Sequence, residues 1–492
     1  MRLLWVWLQL TSSDFPKAGR LTFQELRCVG AEGKLAQRGA KYLQRWKNRE
    51  VTPDNLRAIP LGLQRLFLEE GYLYAAVVWQ RFGCVGGRCG GVLEVTPGPL
   101  VRLDTILIRG RWPAPLRAFY QITGLQPGRP LRLPNWEALP RRLRQNPYAS
   151  PTDTPQLWLF PNLAWVEVSL QPKQANRVDG ALALVPTSGR RAQIIGSLEV
   201  SLLSPFRLGE RLEARYAQLP GNAQRLQLFL ALPYVWKGFL ELRGRFLLWR
   251  QDTAFLQREV EAESRLRLTP SLRGIIGLRQ SASRPIGSAF SPLRPIRGFQ
   301  RLGAKIGWEY EQLDQRLSPH RGYSLMLVGM QGRLTYTPFP SLDLPLRTAS
   351  FQELQVRGEA FLPLGRLLTL RGGGFFYWYS SPSTYENELP RLGGEVGLRG
   401  FPENTFPAQA ALQGYAELRL HTEEAGYLSA FAEGGQLSLI PSFRLPNYTL
   451  GLSLQTPLAA GILRLTLAAG RRQGMPWDWR RSLVRLEWVS EF

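Results

Sequence analysis

The sequence predicts two small α+β units followed by one long antiparallel sheet with two chemically different faces. Three observations predict it. Helical spacing is confined to the first third of the chain, strict period-two alternation runs from about Asn176 to the end, and Gly, Pro and Asn break that alternation at short intervals. At 492 residues the chain is too long for one ordinary compact core. Its hydrophobic fraction of 44% and mean hydropathy of −0.18 look soluble. A membrane β-barrel gives the same average, because lipid-facing and lumen-facing residues alternate and cancel. Past the first ten residues no apolar stretch is long enough for a helical span.

Residues 1–18 open with Met1-Arg2 and the apolar stretch Leu3 to Leu10, and read as a short or truncated signal segment. Residues 19–98 form the first unit. Leu21 to Leu26 alternates as a strand, and Lys34 to Trp46 has helical spacing. Thr52-Pro53-Asp54 is an N-cap followed by proline in the first turn of a second helix, which runs through Phe67. Gly71-Tyr72 ends that helix and launches a strand from Leu73 to Trp79, and Gly91 to Val95 returns. Residues 99–175 repeat the order: strand Val101 to Ile108, helices around Leu116 to Ile122 and Trp136 to Arg144, strands Leu157 to Phe160 and Leu163 to Leu170.

From 176 to 492 the alternation takes over. Leu226, Leu228, Leu230 and Leu232 share one face; Leu240 and Leu242 flank Glu241; Leu450, Leu452 and Leu454, then Leu463, Leu465 and Leu467, repeat the pattern. The charged face is mostly Arg and the other is Leu, Phe and Trp. A soluble sandwich or propeller and a membrane barrel both remain open on alternation alone.

The formal net charge of +24 raises nucleic acid as a partner. The basic residues argue against it, because they are nearly all Arg and interleave singly with Leu instead of clustering. An Arg-lined aqueous lumen and Arg at anionic headgroups account for the charge better. Cys84 and Cys89 flank Val-Gly-Gly-Arg, a hairpin tip that a disulfide could bridge, which leaves Cys28 free. Zinc is disfavoured, since His320 and His421 lie far downstream. No nucleophile elbow, P-loop or zinc motif is present, so a non-enzyme without cofactor is expected.

Arg-Gly-Phe occurs twice. Only the later copy, in Gly393-Gly394-Glu395-Val396-Gly397-Leu398-Arg399-Gly400-Phe401, has a glycine-rich approach and is followed by Tyr415-Ala416-Glu417 and Phe431-Ala432-Glu433. The copy at Arg297-Gly298-Phe299 is expected to tolerate loss of its arginine. Alternation with Leu418 and Leu420, and with Ala430 and Ala432, turns Glu417 and Glu433 to the polar face. The last segment puts Val484, Leu486, Trp488 and Phe492 on one apolar face.

This loop and tail resemble the BamA/TamA superfamily of outer-membrane assembly and translocation barrels. Ser204-Pro205-Phe206-Arg207-Leu208-Gly209-Glu210 and Pro319-His320-Arg321-Gly322-Tyr323 add to the resemblance, and the two α+β units look like POTRA domains. The resemblance implies a transmembrane antiparallel β-barrel of about sixteen strands preceded by two α+β POTRA domains. It implies that Arg399 reaches inside to pair with Glu417 and Glu433, where the family carries Asp at the second position, that Gly400 lets the loop turn, and that Phe401 packs on the wall. Leu486, Trp488 and Phe492 would be the C-terminal barrel signal. Location in the bacterial outer membrane with N-terminal domains in the periplasm is implied, as are unfolded β-barrel clients, outer-membrane lipids including lipopolysaccharide, and accessory lipoproteins as partners. Alternatives are a two-partner-type secretion transporter, whose plug helix does not fit before Leu21, and a porin- or receptor-like barrel.

Overall fold

The computed structural model describes residues 21–491 except 174–175, 186–192, 220–222, 253, 270, 287–295, 315–317, 338–346, 383, 395–397, 404, 423–425, 439–443, 459–460, 473, 475 and 478–481. The signal segment, Gly397 and Phe492 lie outside the described residues. Chain contacts divide the protein into one unit made of residues 1–112 and 119–172 and another made of 113–118 and 173–492.

The first unit holds two copies of one plan. Strand β1 (Thr22–Val29) leads into helices α1 (Gly33–Gln44) and α2 (Pro53–Glu70), then β2 (Ala76–Val85) and β3 (Arg88–Thr96), with sheet order β1-β3-β2. The last strand lies in the middle, parallel to β1 and antiparallel to β2. Phe23, Ile59, Leu63, Phe67 and Leu93 make its core. Thr52 caps α2, its side-chain oxygen accepting from Asn55 N at 3.2 Å. The helix runs three residues past Phe67, to Glu70, and β2 starts at Ala76 rather than Leu73 because Tyr72 and Ala75 close a backbone turn at 3.1 Å.

The second copy is β4 (Arg102–Gly110), α3 (Leu116–Thr123), α4 (Leu133–Gln145), then β5 (Ala149–Pro151), β6 (Gln156–Leu159) and β7 (Leu163–Pro172). Again the last strand is central, parallel to β4 and antiparallel to β5 and β6. The repeat extends to single residues. Gly30, just after β1, and Gly110, the last residue of β4, are at positive φ, 87° and 92°, where a Cβ would strike the carbonyl oxygen of Val95 and of Leu170 at 2.2 and 2.0 Å. Only glycine fits both demands.

Cys84 and Cys89 face each other across the β2–β3 register and are joined by a disulfide, with Gly86 and Gly87 at positive φ in the tip between them. Cys28 is a free, half-buried thiol against this unit's core.

The second unit is a closed antiparallel barrel of sixteen strands. Its first half is β8 (Arg177–Val185), β9 (Gln193–Leu203), β10 (Arg211–Leu219), β11 (Ala223–Val235), β12 (Leu240–Gln251), β13 (Phe255–Arg267), β14 (Leu272–Pro285) and β15 (Phe299–Leu313). The second half begins with β16 (Gly322–Tyr336), β17 (Arg347–Pro363) and β18 (Leu368–Ser380). Two short strands inside the next connection, β19 (Arg391–Leu392) and β20 (Phe406–Pro407), pair only with each other. The wall resumes with β21 (Ala410–His421), β22 (Tyr427–Ser438), β23 (Arg444–Leu458), β24 (Gly461–Arg472) and β25 (Leu483–Glu491), which pairs with β8 to close it.

The two faces separate by chemistry. Leu182, Ile276, Leu278, Ile306, Leu412 and Leu452 are each more than half exposed on the outside, whereas Glu259, Glu261, Glu263, Arg301, Glu417 and Arg419 are buried inside. A soluble barrel would reverse this arrangement, and a bilayer would cover this apolar belt. No helix among the described residues is long and apolar enough to cross a membrane.

The Ser204–Glu210 segment is the β9–β10 turn. Glu210 is buried there, its carboxylate accepting from the backbone N of Phe206 and from that of Leu208 at 2.8 Å, so the turn supplies its own acceptor.

Candidate functional site

Between β18 and β21 the connection folds back into the lumen instead of leaving the barrel mouth. Its apolar residues explain why. Leu389, Leu392, Leu398, Phe401, Phe406 and Ala408 pack with Phe299, Leu334, Tyr336, Phe351 and Tyr379 of the wall into the barrel's largest core. The tip is a tight backbone turn, Gly394 N donating to the carbonyls of Leu398 at 3.2 Å and Phe401 at 3.1 Å.

That turn aims Arg399 at the wall. Its Nε donates to Glu433 Oε1 at 2.5 Å, its backbone N to Glu433 Oε2 at 2.6 Å, and a terminal nitrogen to Glu417 Oε2 at 3.1 Å. The guanidinium lies 3.5 Å over the Phe431 ring. One fork therefore bonds two carboxylates on adjacent strands and stacks on the aromatic between them, which an ammonium group could not do. The extra methylene of Glu433 over Asp lets its two oxygens take the loop's backbone and side chain together. Glu417 is 1% exposed and also accepts from Arg371 at 3.2 Å and Arg419 at 2.9 Å.

Gly400 sits in the Leu398–Phe401 turn, where Phe401 N donates to the Leu398 carbonyl at 3.1 Å, and its missing side chain serves a second purpose. It is not at positive φ; a Cβ there would meet the backbone of Ala469 and Gly470 at 2.7 Å. Glycine is needed because the loop lies flat on β24. Phe401 is buried on the Gly470 face and meets Phe406 edge-on at 5.0 Å. On the last strand Val484 and Leu486 are exposed outward and Trp488 has the same parity, while Leu483 and Arg485 are buried inward.

The earlier Arg-Gly-Phe corrects its sequence expectation. Arg297 is 4% exposed, donates from Nε to the Thr337 carbonyl at 3.1 Å and from a terminal nitrogen to the Tyr385 hydroxyl at 3.3 Å, and lies 5.2 Å over the Tyr336 ring. Asn387 ties the same point, its amide donating to the Arg297 carbonyl and to Ser283 Oγ, both at 2.8 Å. The inward loop is thus held at two places, by Arg297 on its entering arm and by Arg399 at its tip.

Sequence reasoning also missed the acid ladder of β13. Glu259, Glu261 and Glu263 recur at period two in Glu-Val-Glu-Ala-Glu and face Arg245, Arg279, Lys305 and Arg265 inside the barrel. Three alternating glutamates in so basic a chain were the available signal. The two histidines stack on each other at 3.7 Å, and both nitrogens of His421 have hydroxyl partners, Ser318 and Thr369. Among the described residues no cluster suited to a metal ion is present.

A closed sixteen-stranded barrel with a charged lumen, an apolar outer belt and a loop latched inside by arginine defines the class of this protein: a membrane β-barrel with an internal loop. No family model and no curated sequence matches the chain. Solved structures do. BamA from Haemophilus ducreyi lacking POTRA domains 1-3 superposes with a TM-score of 0.52 at 14% identity, over 95% of this chain and 100% of that one. CdiB from Acinetobacter baumannii superposes with 0.60 at 13% identity, over 100% and 97%, and CdiB from Escherichia coli with 0.59 at 15%, over 98% and 93%. The fold is therefore that of the BamA and CdiB barrels.

Proposed function

We propose that this chain is an outer-membrane barrel of the BamA/TamA superfamily that assembles or inserts client β-barrel proteins, with its two α+β units acting as periplasmic POTRA domains. The observation that carries the reading is the Arg399 latch, a loop held inside the lumen on Glu417 and Glu433. The loop packs inside the lumen against the wall, which disfavours an open porin.

The seam supports it. Strand β25 pairs with β8 over eight residues, from Val484↔Leu184 to Glu491↔Arg177, and with β24 over seven. Strand β16, across the barrel, pairs over fifteen with each neighbour. Among the described wall strands β25 is held by the shortest pair of registers, so parting it from β8 breaks about half the main-chain pairing that parting β16 from a neighbour would, and offers edges to a client strand. The edge strands β1 and β2 of the first small sheet offer further pairing sites. Clients are unfolded barrel strands, the surrounding lipids include lipopolysaccharide, and accessory lipoproteins dock from the periplasm; the work is binding and release without covalent chemistry or a cofactor.

A second reading, a two-partner-type secretion transporter, is favoured by the higher TM-scores against the CdiB barrels. Purified protein in liposomes separates the two. An assembly factor speeds folding of a urea-denatured barrel client into the vesicle membrane, and a transporter moves an unfolded soluble substrate across it; client folding no faster than in empty vesicles would reject the first reading.

A further inference from the structure

We infer that a cavity in the barrel lumen, beside the inward loop, is a binding site for a small soluble oxyanion bearing phosphate or carboxylate groups. The cavity measures about 420 Å³ and is lined by β10 to β15, β17, β18 and the arm of the loop from Glu388 to Gly393. That volume falls within the roughly 300–1,000 Å³ of ordinary small-molecule sites.

Its polar groups are unbalanced in one direction. Trp249 Nε1, Arg279 Nε, Arg301 Nε and Arg391 Nε are buried at this cavity without a hydrogen-bond acceptor. They come from β12, β14, β15 and the inward loop; Arg279 Nε has Glu261 Oε2 beside it at 3.4 Å, so three separate elements, β12, β15 and the loop, each bring a spare N–H to one space. Gln257 Oε1 is the single unpaired acceptor here, and an amide can present either end. Buried donors left unpaired are costly, and a native protein normally explains each of them.

Three of the four carboxylates that line the cavity are closely engaged, and the fourth, Glu403, is paired with Arg485 at 3.5 Å. Glu259 accepts from Arg245 at 2.7 Å and Ser281 at 3.0 Å, Glu353 takes both its bonds from Arg279 at 3.2 Å, and Glu388 accepts from the Tyr379 hydroxyl at 2.7 Å. Arg225, by contrast, has no carboxylate within ion-pairing distance among the described residues and touches only Gln227 Oε1, at 3.5 Å. Arg215 reaches Glu403 only at 3.8 Å. Spare N–H donors with an uncompensated guanidinium call for an acceptor that carries negative charge. The continuous β10–β14 register separates the cavity from the lipid side, so the ligand arrives through the lumen water and is not a lipid headgroup. Bound there, an oxyanion would bridge Arg391 of the loop to the wall and help hold the loop in place.

The test uses the full chain in detergent micelles, with sodium pyrophosphate titrated against sodium chloride at constant ionic strength and binding followed by calorimetry. Saturable 1:1 binding is expected, weakened at least tenfold by Arg225→Gln and by Trp249→Phe, which keeps the ring and removes only its N–H. Arg243→Gln, on the same face of β12 but paired with Glu241 outside the cavity, should bind as wild type. Heat-modifiable gel migration verifies that each variant is folded. No saturable difference between pyrophosphate and chloride, or equal affinity in wild type, Arg225→Gln and Trp249→Phe, overturns the inference and leaves the cavity to water.

Discussion

Replacing Arg399 by alanine removes the one cation paired with Glu433 among the described residues. Of the two hydrogen bonds that Glu433 accepts from the loop, the one from the Arg399 Nε is lost with its charge, the one from the backbone N of residue 399 stays, and the cation over the Phe431 ring is lost as well. Glu417 fares better, because Arg371 and Arg419 remain beside it. The cost is therefore concentrated on Glu433, 8% exposed in the lumen. Breaking a buried ion pair from one side costs about 3–5 kcal/mol, and losing the stacked cation adds about 1 kcal/mol. Adding Glu433→Gln to Arg399→Ala should restore about 1–3 kcal/mol, because a neutral amide is cheaper to leave half-satisfied than a carboxylate. Arg399→Lys should recover only part of the loss, since one ammonium cannot fork to both acids. Urea unfolding in micelles, read by heat-modifiable gel migration, measures all four proteins. A wild-type unfolding midpoint for Arg399→Ala, or a double variant no more stable than the single one, would refute the latch as an energetic unit.

Other outcomes follow from the same geometry. Arg297→Ala should cost about 2 kcal/mol through its lost charged hydrogen bonds to the Thr337 carbonyl and the Tyr385 hydroxyl; an unchanged unfolding midpoint would contradict its buried placement. Residues 21–173 expressed alone should give a dispersed amide spectrum, since each copy has its own core; a collapsed spectrum would show that the copies need the barrel. Denatured, unreduced protein should show one reactive thiol, Cys28. In the folded protein burial pushes that thiol's pKa up, so less thiolate is present near neutral pH and alkylation should be slower than after denaturation. Three reactive thiols, or no protection in the folded state, would contradict this.

The barrel was legible because each wall strand has one face in lipid and one in a charged lumen, so Leu226, Leu228 and Leu230, or Leu450, Leu452 and Leu454, announce themselves two residues apart. The same parity turns Glu417 and Glu433 inward. What parity cannot reveal is which residues of a long connection meet which wall. Arg297 was passed over because its tripeptide lacks a glycine-rich approach, yet its partners Thr337, Tyr336 and Tyr385 lie 39 or more residues away in sequence. That Gly400 is also needed for close approach could not be read, because a turn glycine and a close-packed one look alike until the backbone of β24 is in place. Strand starts such as Ala76 shifted for a local reason, a backbone turn that alternation does not encode.

The claim that clients enter at the β8–β25 seam is tested most directly by locking it. Gly180 and Trp488 are opposite each other across that seam, so Gly180→Cys with Trp488→Cys, in a background carrying Cys28→Ser, Cys84→Ser and Cys89→Ser, places two thiols within disulfide reach. Insertion of a urea-denatured barrel client into liposomes carrying the oxidised protein should fall to the rate of empty vesicles and recover on reduction. Equal insertion rates in the oxidised and reduced states, with the cross-link verified by gel shift, would contradict the seam as the site of action.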